Sequence, residues 1–182
     1  MHRHIGIYPG TFDPVHEGHI AFANEGVKLF HLEKVVFLPE KSPRKKQSVT
    51  DISTRHAELS SSLAAHPKLE SLVLHTDQFT VLETLPELHR LFQGSKFTFF
   101  IGSDVALHLP HWKDLPLLLA DTSFVVAIRE GESEVQVQEV LKALEKSINM
   151  TVRYTIIDSP KPALRSSVIK KSQGAVSSDG AR

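Results

Sequence analysis

His16 and His19 lie three residues apart, with Gly18 between them. They follow a short apolar segment, residues 5–8, and a turn that contains Gly10. Residues three apart at the start of a helix share a face, so the two imidazoles can meet one ligand. A strand, a glycine-containing loop and a helix start together direct backbone N–H groups and the helix dipole at an anion. The stretch therefore predicts a phosphate site that uses two histidines.

A purely structural role is the alternative for these two histidines. His16 and His19 can be loop and helix-cap residues without a ligand. A histidine pair that brackets a glycine at a predicted strand-to-helix junction favours the functional role. Zinc binding is a weaker alternative, because no third ligand is near in sequence and the chain has no cysteine.

The composition of the chain indicates one soluble globular domain. Its 182 residues are 41% hydrophobic and 23% charged, with a formal net charge of zero. The balanced charge argues against a nucleic-acid partner. The absence of cysteine excludes disulfides and a thiol nucleophile, and with no signal-peptide pattern it suggests a cytoplasmic location. No apolar run reaches membrane-spanning length, so no membrane partner is expected. The oligomeric state stays open, and a homo-oligomer is compatible with the sequence.

Strand-like and helical segments alternate along the chain. Predicted strands span residues 3–8, 34–38, 69–75, 96–101, 123–128 and 151–157, and predicted helices span 18–31, 51–65, 80–92, 103–109, 115–120, 133–147 and 162–171. Such alternation implies crossover connections, and the continuous apolar runs imply buried strands. We expect an α/β fold, a doubly wound, mainly parallel sheet with helices on both faces. Residues 1–173 should form one domain, and the small polar residues 174–182 a disordered tail.

In a sheet of this kind, ligands bind beyond the carboxyl ends of the strands. This predicts that the loops after Tyr8, Leu38 and Ile101 lie together. The second loop is basic and contains Lys41, Arg44, Lys45 and Lys46; it is either a solvated charge run or an arm that reaches phosphates. In the third loop Asp104 can cap the helix that follows and can also accept hydrogen bonds from a ligand hydroxyl; the two roles are compatible. Trp112 can stack on a ring or pack in the core.

The first loop also resembles a known signature. Residues 10–19 (GTFDPVHEGH) resemble the HxGH motif of nucleotidyltransferases that transfer adenylyl or cytidylyl groups. Residues 99–113 (FFIGSDVALHLPHWK) are similar to the Gly-x-Asp and Leu-Pro-x-Trp-Lys segments of bacterial nicotinate-nucleotide adenylyltransferases. Weaker similarities to that family lie at residues 39–45 with Arg55, at 79–85 (FTVLETL) and at 124–129. The resemblance implies a Rossmann-like nucleotidyltransferase fold.

The resemblance also implies a reaction and a set of site residues. ATP and nicotinate or nicotinamide mononucleotide would give the dinucleotide and pyrophosphate in NAD biosynthesis, with Mg²⁺ carried on ATP and no metal site of the protein. The implied catalytic residues are His16, His19 and Lys45. The implied ATP contacts are Gly10, Thr11, Phe12, Gly18, Gly102, Asp104, Ser166, Ser167 and Lys170. The implied acceptor contacts are Lys45, Arg55, Phe79, Thr80, Thr84, Trp112 and Arg129.

The chain departs from this family at its last motif. Residues 164–170 (LRSSVIK) keep two serines, but Arg165 replaces a serine and Lys170 replaces an arginine. Lysine keeps the positive charge and lacks the bidentate fork of arginine. Two alternatives follow from the similarities and the departure. One is an enzyme like phosphopantetheine adenylyltransferase, whose late Ser-Ser-x-x-Val-Lys segment is similar. The other is a degenerate relative that binds a nucleotide without turnover.

Overall fold

A computed structural model describes residues 3–43, 48–128 and 131–158 of the chain. Its sheet has six strands in the order β3-β2-β1-β4-β5-β6, and each pair of neighbours is parallel. The strands are β1 (His4–Gly10), β2 (Lys34–Pro39), β3 (Leu69–Ser71), β4 (Lys96–Gly102), β5 (Thr122–Ile128) and β6 (Tyr154–Asp158). The predicted doubly wound sheet is confirmed. The order reverses between β1 and β4, where ligands of such sheets bind.

Helices cover both faces of the sheet, as predicted. The helices are α1 (Glu17–Leu29), α2 (Ile52–Leu63), α3 (Val81–Leu91), α4 (Ser103–Ala106), α5 (Leu115–Asp121) and α6 (Glu134–Ile148). One hydrophobic cluster joins residues of α1 and α2 to one face, and a second joins α3, α5 and α6 to the other. None of the helices within the described ranges is long and apolar enough to cross a membrane.

The start of α2 follows from its local sequence. Asp51 is the N-cap, and its carboxylate accepts hydrogen bonds from the backbone N–H groups of Ser53 (2.8 Å) and Thr54 (3.2 Å). The hydroxyl groups of the same two residues also donate to this carboxylate. These hydrogen bonds stabilise the ionised form and hold the pKa of Asp51 well below its usual range.

The third strand and the fourth helix differ most from their predicted lengths. The third strand ends at Ser71 and does not extend to residue 75, because the chain then turns toward the loop after β2. Along this turn Lys41 Nζ donates to the carbonyl of His75 (2.7 Å). The helix predicted over residues 103–109 ends at Ala106, and a 3-10 helix spans Leu109–His111. The ring of Pro110 would clash with the carbonyl of Ala106 in a continuing α-helix, which explains this break.

Two glycines let α1 lie close to the sheet. A Cβ atom at Gly26 would lie 2.3 Å from Cζ of Phe100, and one at Gly6 would lie 2.6 Å from Cε2 of the same ring. Both distances are shorter than any normal contact, so larger residues would force α1 away from β4. The ring of Phe100 therefore fixes the position of α1, and with it the position of His16 and His19 at its start.

A polar chain crosses three strands near their amino ends. His4 Nε2 lies 2.7 Å from Oγ1 of Thr98, which lies 2.8 Å from Oγ of Ser123. Burial lowers the pKa of His4 below its ordinary value of 6.5, nearby Lys96 lowers it further, and the carbonyl of Phe30 partly opposes both. The folded protein therefore holds a neutral imidazole at a pH where the unfolded chain begins to bind a proton.

We expect the free energy of unfolding to fall as the pH is lowered through 6.5, the unfolded value for His4. The reason is that the unfolded chain takes up a proton in this range before folded His4 does. Equilibrium urea unfolding at several pH values measures the slope. In His4→Gln, which cannot titrate, the slope should be smaller. An unchanged slope in His4→Gln would contradict the prediction.

Candidate active site

The candidate site begins where β1 meets α1. β1 ends at Gly10, and α1 begins after His16, which is its N-cap in an extended conformation. Within the loop, Phe12 has a positive φ of 45° and is buried. Its ring contacts Tyr8 (5.3 Å between centroids) and His19 (5.1 Å). The buried Phe12 ring thus anchors the loop beneath the histidines.

His16 and His19 lie against one another, as their spacing predicts. Their rings are stacked, with centroids 3.7 Å apart and planes inclined by 23°. The backbone N–H of His16 donates to Nδ1 of His19 at 3.3 Å. Because Nδ1 accepts this hydrogen bond, the neutral His19 ring carries its proton on Nε2. His19 is therefore oriented as a hydrogen-bond donor beside a helix N-terminus, an arrangement suited to a phosphate oxygen.

The glycines of this segment lie close to side chains and backbone. A Cβ at Gly10 would lie 2.9 Å from Cζ of Phe12, and the carbonyl of Gly10 accepts a hydrogen bond from the N–H of Glu40 at 3.0 Å. Gly18 is buried in the first turn of α1. A larger residue at position 10 would displace Phe12 and with it the loop.

Arg55 ties the loops of this region together. Its side chain is fully buried, and it donates to the carbonyls of Thr50 (2.6 Å), Thr11 (2.7 Å), Glu40 (2.8 Å) and Lys41 (3.3 Å). Burial lowers the pKa of the guanidinium, and nearby carboxylates, Asp13 first among them, oppose the shift. These contacts give Arg55 a role in positioning the loops. Direct contact with a substrate, implied by the resemblance, stays a prediction.

Asp13 makes a second link between the first loop and α2. The residue is buried, and its Oδ2 accepts a hydrogen bond from the backbone N–H of Thr50 at 3.1 Å. Asp13 and Arg55 therefore both join the loop after β1 to the segment that precedes α2. This bracing holds the loop after β1 against the start of α2.

Phe79, Thr80, Thr84 and Trp112, which the resemblance implies as acceptor contacts, lie around the start of α3. The ring of Phe79 lies 5.5 Å from that of Trp112, with the planes inclined by 44°, and 5.5 Å from that of Phe99 on β4. We call Phe79 and Trp112 the aromatic pair. Both side chains are only partly buried and pack on the larger hydrophobic cluster. The structure brings together two residues that are distant in sequence and leaves part of each ring accessible.

Thr80 and Thr84 belong to the N-terminal turn of α3. Thr80 is the N-cap, and its side-chain oxygen accepts a hydrogen bond from the N–H of Glu83 at 3.3 Å. The N–H of Thr80 donates to Oγ1 of Thr84 at 3.2 Å. Thr84 is buried, so its hydroxyl faces the helix start from inside the protein. The geometry gives these residues a part in shaping the helix start, and their substrate contacts stay predictions.

Gly102 and Asp104 lie at the carboxyl end of β4, beside the end of β1. Ile7 of β1 pairs with Phe99 of β4, and each is three residues before the end of its strand. Gly102 is the N-cap of α4 and Asp104 lies in the first turn, so the predicted role of Asp104 as the cap is wrong. Asp104 is exposed at the carboxyl end of β4, and its contact with a ribose stays a prediction.

The remaining predicted residues fall outside the ranges that the structure describes. These are Lys45, Arg129, Ser166, Ser167 and Lys170, together with the predicted helix over 162–171 and the tail 174–182. Among the residues that it does describe, no group of three His, Asp or Glu side chains could hold a metal ion.

Three contacts near the site were not predicted from the sequence. Glu40 accepts a hydrogen bond from the N–H of Phe79, and Asp13 accepts one from the N–H of Thr50. The carboxylate of Glu132 accepts a hydrogen bond from the hydroxyl of Ser103, which is buried. Asp13 lies within residues 10–19, the stretch that resembles the HxGH motif, so the sequence could have marked it as a residue near the site. Glu40 and Glu132 each follow the carboxyl end of a strand. This position is the one sequence feature that could have identified them as residues near the site.

Comparison with known proteins places this geometry in context. Residues 7–172 match the family model described as cytidylyltransferase-like. The chain is 32% identical over 175 residues to a probable nicotinate-nucleotide adenylyltransferase of Geobacillus kaustophilus, covering 92% of this chain and 73% of that protein. It is 31% identical over 175 residues to a probable nicotinate-nucleotide adenylyltransferase of Bacillus cereus, covering 93% and 85%.

The fold is also similar to solved structures. One is the Plasmodium falciparum nicotinic acid mononucleotide adenylyltransferase complexed with NaAD, with a TM-score of 0.74 over 93% of this chain and 83% of that chain. At 19% sequence identity this likeness concerns the fold. It agrees with the parallel sheet covered by helices.

Proposed function

The chain belongs to the nicotinate-nucleotide adenylyltransferases of the cytidylyltransferase-like family, and we propose that it joins ATP to nicotinate mononucleotide. The observation that carries the proposal is the stacked pair of His16 and His19 at the strand-order switch. The Nε2 donor of His19 and the start of α1 can stabilise charge on a phosphate. The aromatic pair, at the neighbouring strand ends, suits a pyridine ring.

The proposed reaction needs no nucleophile from the protein. A phosphate oxygen of the mononucleotide attacks the α-phosphorus of ATP and forms a new P–O bond. The bond from the α-phosphorus to the oxygen that bridges it to the β-phosphate breaks, and pyrophosphate leaves with that electron pair. Catalysis then consists of placing the two phosphates in line and stabilising the charge that develops.

Each group of residues has a proposed part in this reaction. His19 donates from Nε2 to an oxygen of the α-phosphate, and His16 lies against it on the same side. Gly10, Thr11, Phe12 and Gly18 shape the loop and helix start that receive ATP. The carboxylate of Asp104 accepts hydrogen bonds from the ribose hydroxyls, next to the backbone of Gly102.

Further proposed contacts complete the two substrates. The ring of the acceptor stacks on Phe79 and Trp112, at the helix start formed by Thr80 and Thr84. Mg²⁺ arrives with ATP, whose phosphate oxygens are the hard ligands that this ion prefers. Lys45, Arg129, Ser166, Ser167 and Lys170 are proposed to meet substrate phosphates, by their similarity to the family motifs. One domain over residues 1–173 would hold all these groups.

A panel of acceptors tests the proposed function. Purified protein is mixed with ATP and Mg²⁺ and with nicotinate mononucleotide, nicotinamide mononucleotide or phosphopantetheine in turn, and pyrophosphate release is measured. We expect release with nicotinate mononucleotide above that with the other two acceptors. Release with phosphopantetheine and with neither mononucleotide would show that phosphopantetheine is the acceptor and would contradict the proposal. ATP binding in calorimetry without release for any acceptor would support a nucleotide-binding relative that lacks turnover.

A further inference from the structure

Glu40 lies where three segments of the candidate site meet. It directly follows β2 and is half-buried. Its N–H donates to the carbonyl of Gly10 at the end of β1 (3.0 Å), and its carbonyl accepts from Nη2 of Arg55 (2.8 Å). Its carboxylate oxygen Oε1 accepts a hydrogen bond from the backbone N–H of Phe79 at 3.0 Å. One residue thus contacts both the end of β1 and the aromatic pair.

The hydrogen bond from Phe79 to Glu40 restrains both the start of α3 and the backbone that carries the Phe79 ring. Phe79 immediately precedes Thr80, the N-cap of α3, and its ring packs against Phe99 and Trp112. A carboxylate acceptor makes a charge-assisted hydrogen bond, which is stronger than one between neutral groups. The Glu40 carboxylate therefore restrains the backbone from which the Phe79 ring projects.

Other contacts between the same two loops are more exposed. Ser42 donates from its N–H to the carbonyl of Asp77 (3.0 Å), and Gln78 donates from Nε2 to the carbonyl of Ser42 (2.7 Å). Both join the loop after β2 to residues that precede Phe79. The contact of Glu40 is partly buried and is made to Phe79 itself, so it acts directly on the residue that carries the ring.

We propose that Glu40 is a positioning residue for the acceptor mononucleotide. Its carboxylate holds the Phe79 backbone so that the aromatic pair presents a fixed surface to the pyridine ring. The inference rests on the proposed function, because it takes the aromatic pair as the place where that ring binds.

Steady-state kinetics with varied substrate tests the proposal. In Glu40→Ala we expect the KM for nicotinate mononucleotide to rise about tenfold, from loss of a hydrogen bond to a charged group. The KM for ATP should change little. Glu40→Gln keeps an oxygen that can accept from Phe79 N–H, so it should restore most of the acceptor affinity. Glu40→Asp, whose carboxylate is one methylene shorter, should behave like Glu40→Ala.

Glu87→Ala is the matched control. Oε1 of Glu87 also accepts a hydrogen bond from a backbone N–H of the loop before α3, that of His75 at 3.3 Å, but at the end away from the aromatic pair. We expect this variant to keep the wild-type KM for both substrates. An equal rise of both KM values in Glu40→Ala, or the same acceptor defect in Glu87→Ala, would overturn the proposal.

Fluorescence of the ligand-free protein gives a readout that does not depend on turnover. Trp112 is the sole tryptophan of the chain and lies against Phe79, so its emission reports on the aromatic pair. We expect the emission maximum to shift in Glu40→Ala and to stay unchanged in Glu40→Gln and Glu87→Ala. Unchanged emission and acceptor KM in Glu40→Ala would refute the role of Glu40. A wild-type protein that turns over no acceptor would refute the proposed function, while the emission comparison still tests the contact.

Discussion

Replacing His19 with alanine should lower kcat for pyrophosphate release by a factor of about a hundred to a thousand. The loss has this size because Nε2 of His19 would contact a phosphate oxygen most strongly as charge develops in the transition state. The hydrogen bond from His16 N–H to Nδ1 fixes the tautomer that makes this donation available. The measurement is steady-state pyrophosphate release with ATP, Mg²⁺ and nicotinate mononucleotide.

The control for this experiment separates catalysis from folding. His66→Ala removes another partly buried histidine, which lies beyond α2 at the opposite end of the strands and whose ring contacts Asn24. It should keep the wild-type kcat. Circular dichroism and thermal unfolding should show that His19→Ala is folded, because the side chain of His19 is only half-buried in the wild-type protein. Wild-type turnover in a folded His19→Ala protein would remove the basis of the proposed mechanism.

Replacing Arg55 with methionine should lower the free energy of unfolding by about 3 kcal/mol, because it removes the buried donor of several part-buried hydrogen bonds to backbone carbonyls. Methionine fills a similar volume, so the loss is chiefly of hydrogen bonds to Thr11, Glu40 and Thr50. Urea unfolding gives the free energy. The same substitution should also lower activity, since the two loops that Arg55 joins, those after β1 and after β2, carry proposed phosphate contacts.

Arg153→Met is the matched control for Arg55. Arg153 also donates to backbone carbonyls, those of Leu119 (3.3 Å) and Ala120 (2.9 Å), but its side chain is exposed. Water can replace these hydrogen bonds, so we expect a loss of no more than about 1 kcal/mol. Similar losses in the two variants would show that burial of the Arg55 hydrogen bonds is not what makes them important. In Arg55→Lys, which keeps the charge without the fork, we expect an intermediate loss.

The sequence by itself determined the order of the elements and the location of the histidine pair. Strand and helix periodicities are local, so the apolar runs predicted each of the six strands, and the alternation predicted a doubly wound sheet. The cap at Asp51 and the junction of β1 with α1 also depend on neighbouring residues. For the same reason the three-residue spacing of His16 and His19 was enough to place both rings on one side.

The tertiary structure decided which distant groups meet. Arg55 contacts Thr11, which is 44 residues away, and Glu40 contacts Phe79, which is 39 residues away. Such partners depend on the strand order and on the paths of the loops, and the local hydrophobic pattern of the sequence predicts neither of them. The sequence therefore identified Arg55 as a site residue, while the fold showed its donors directed at backbone carbonyls. Glu40 was not identified at all, because a glutamate after a strand has no distinctive pattern until the loop before α3 is placed against it.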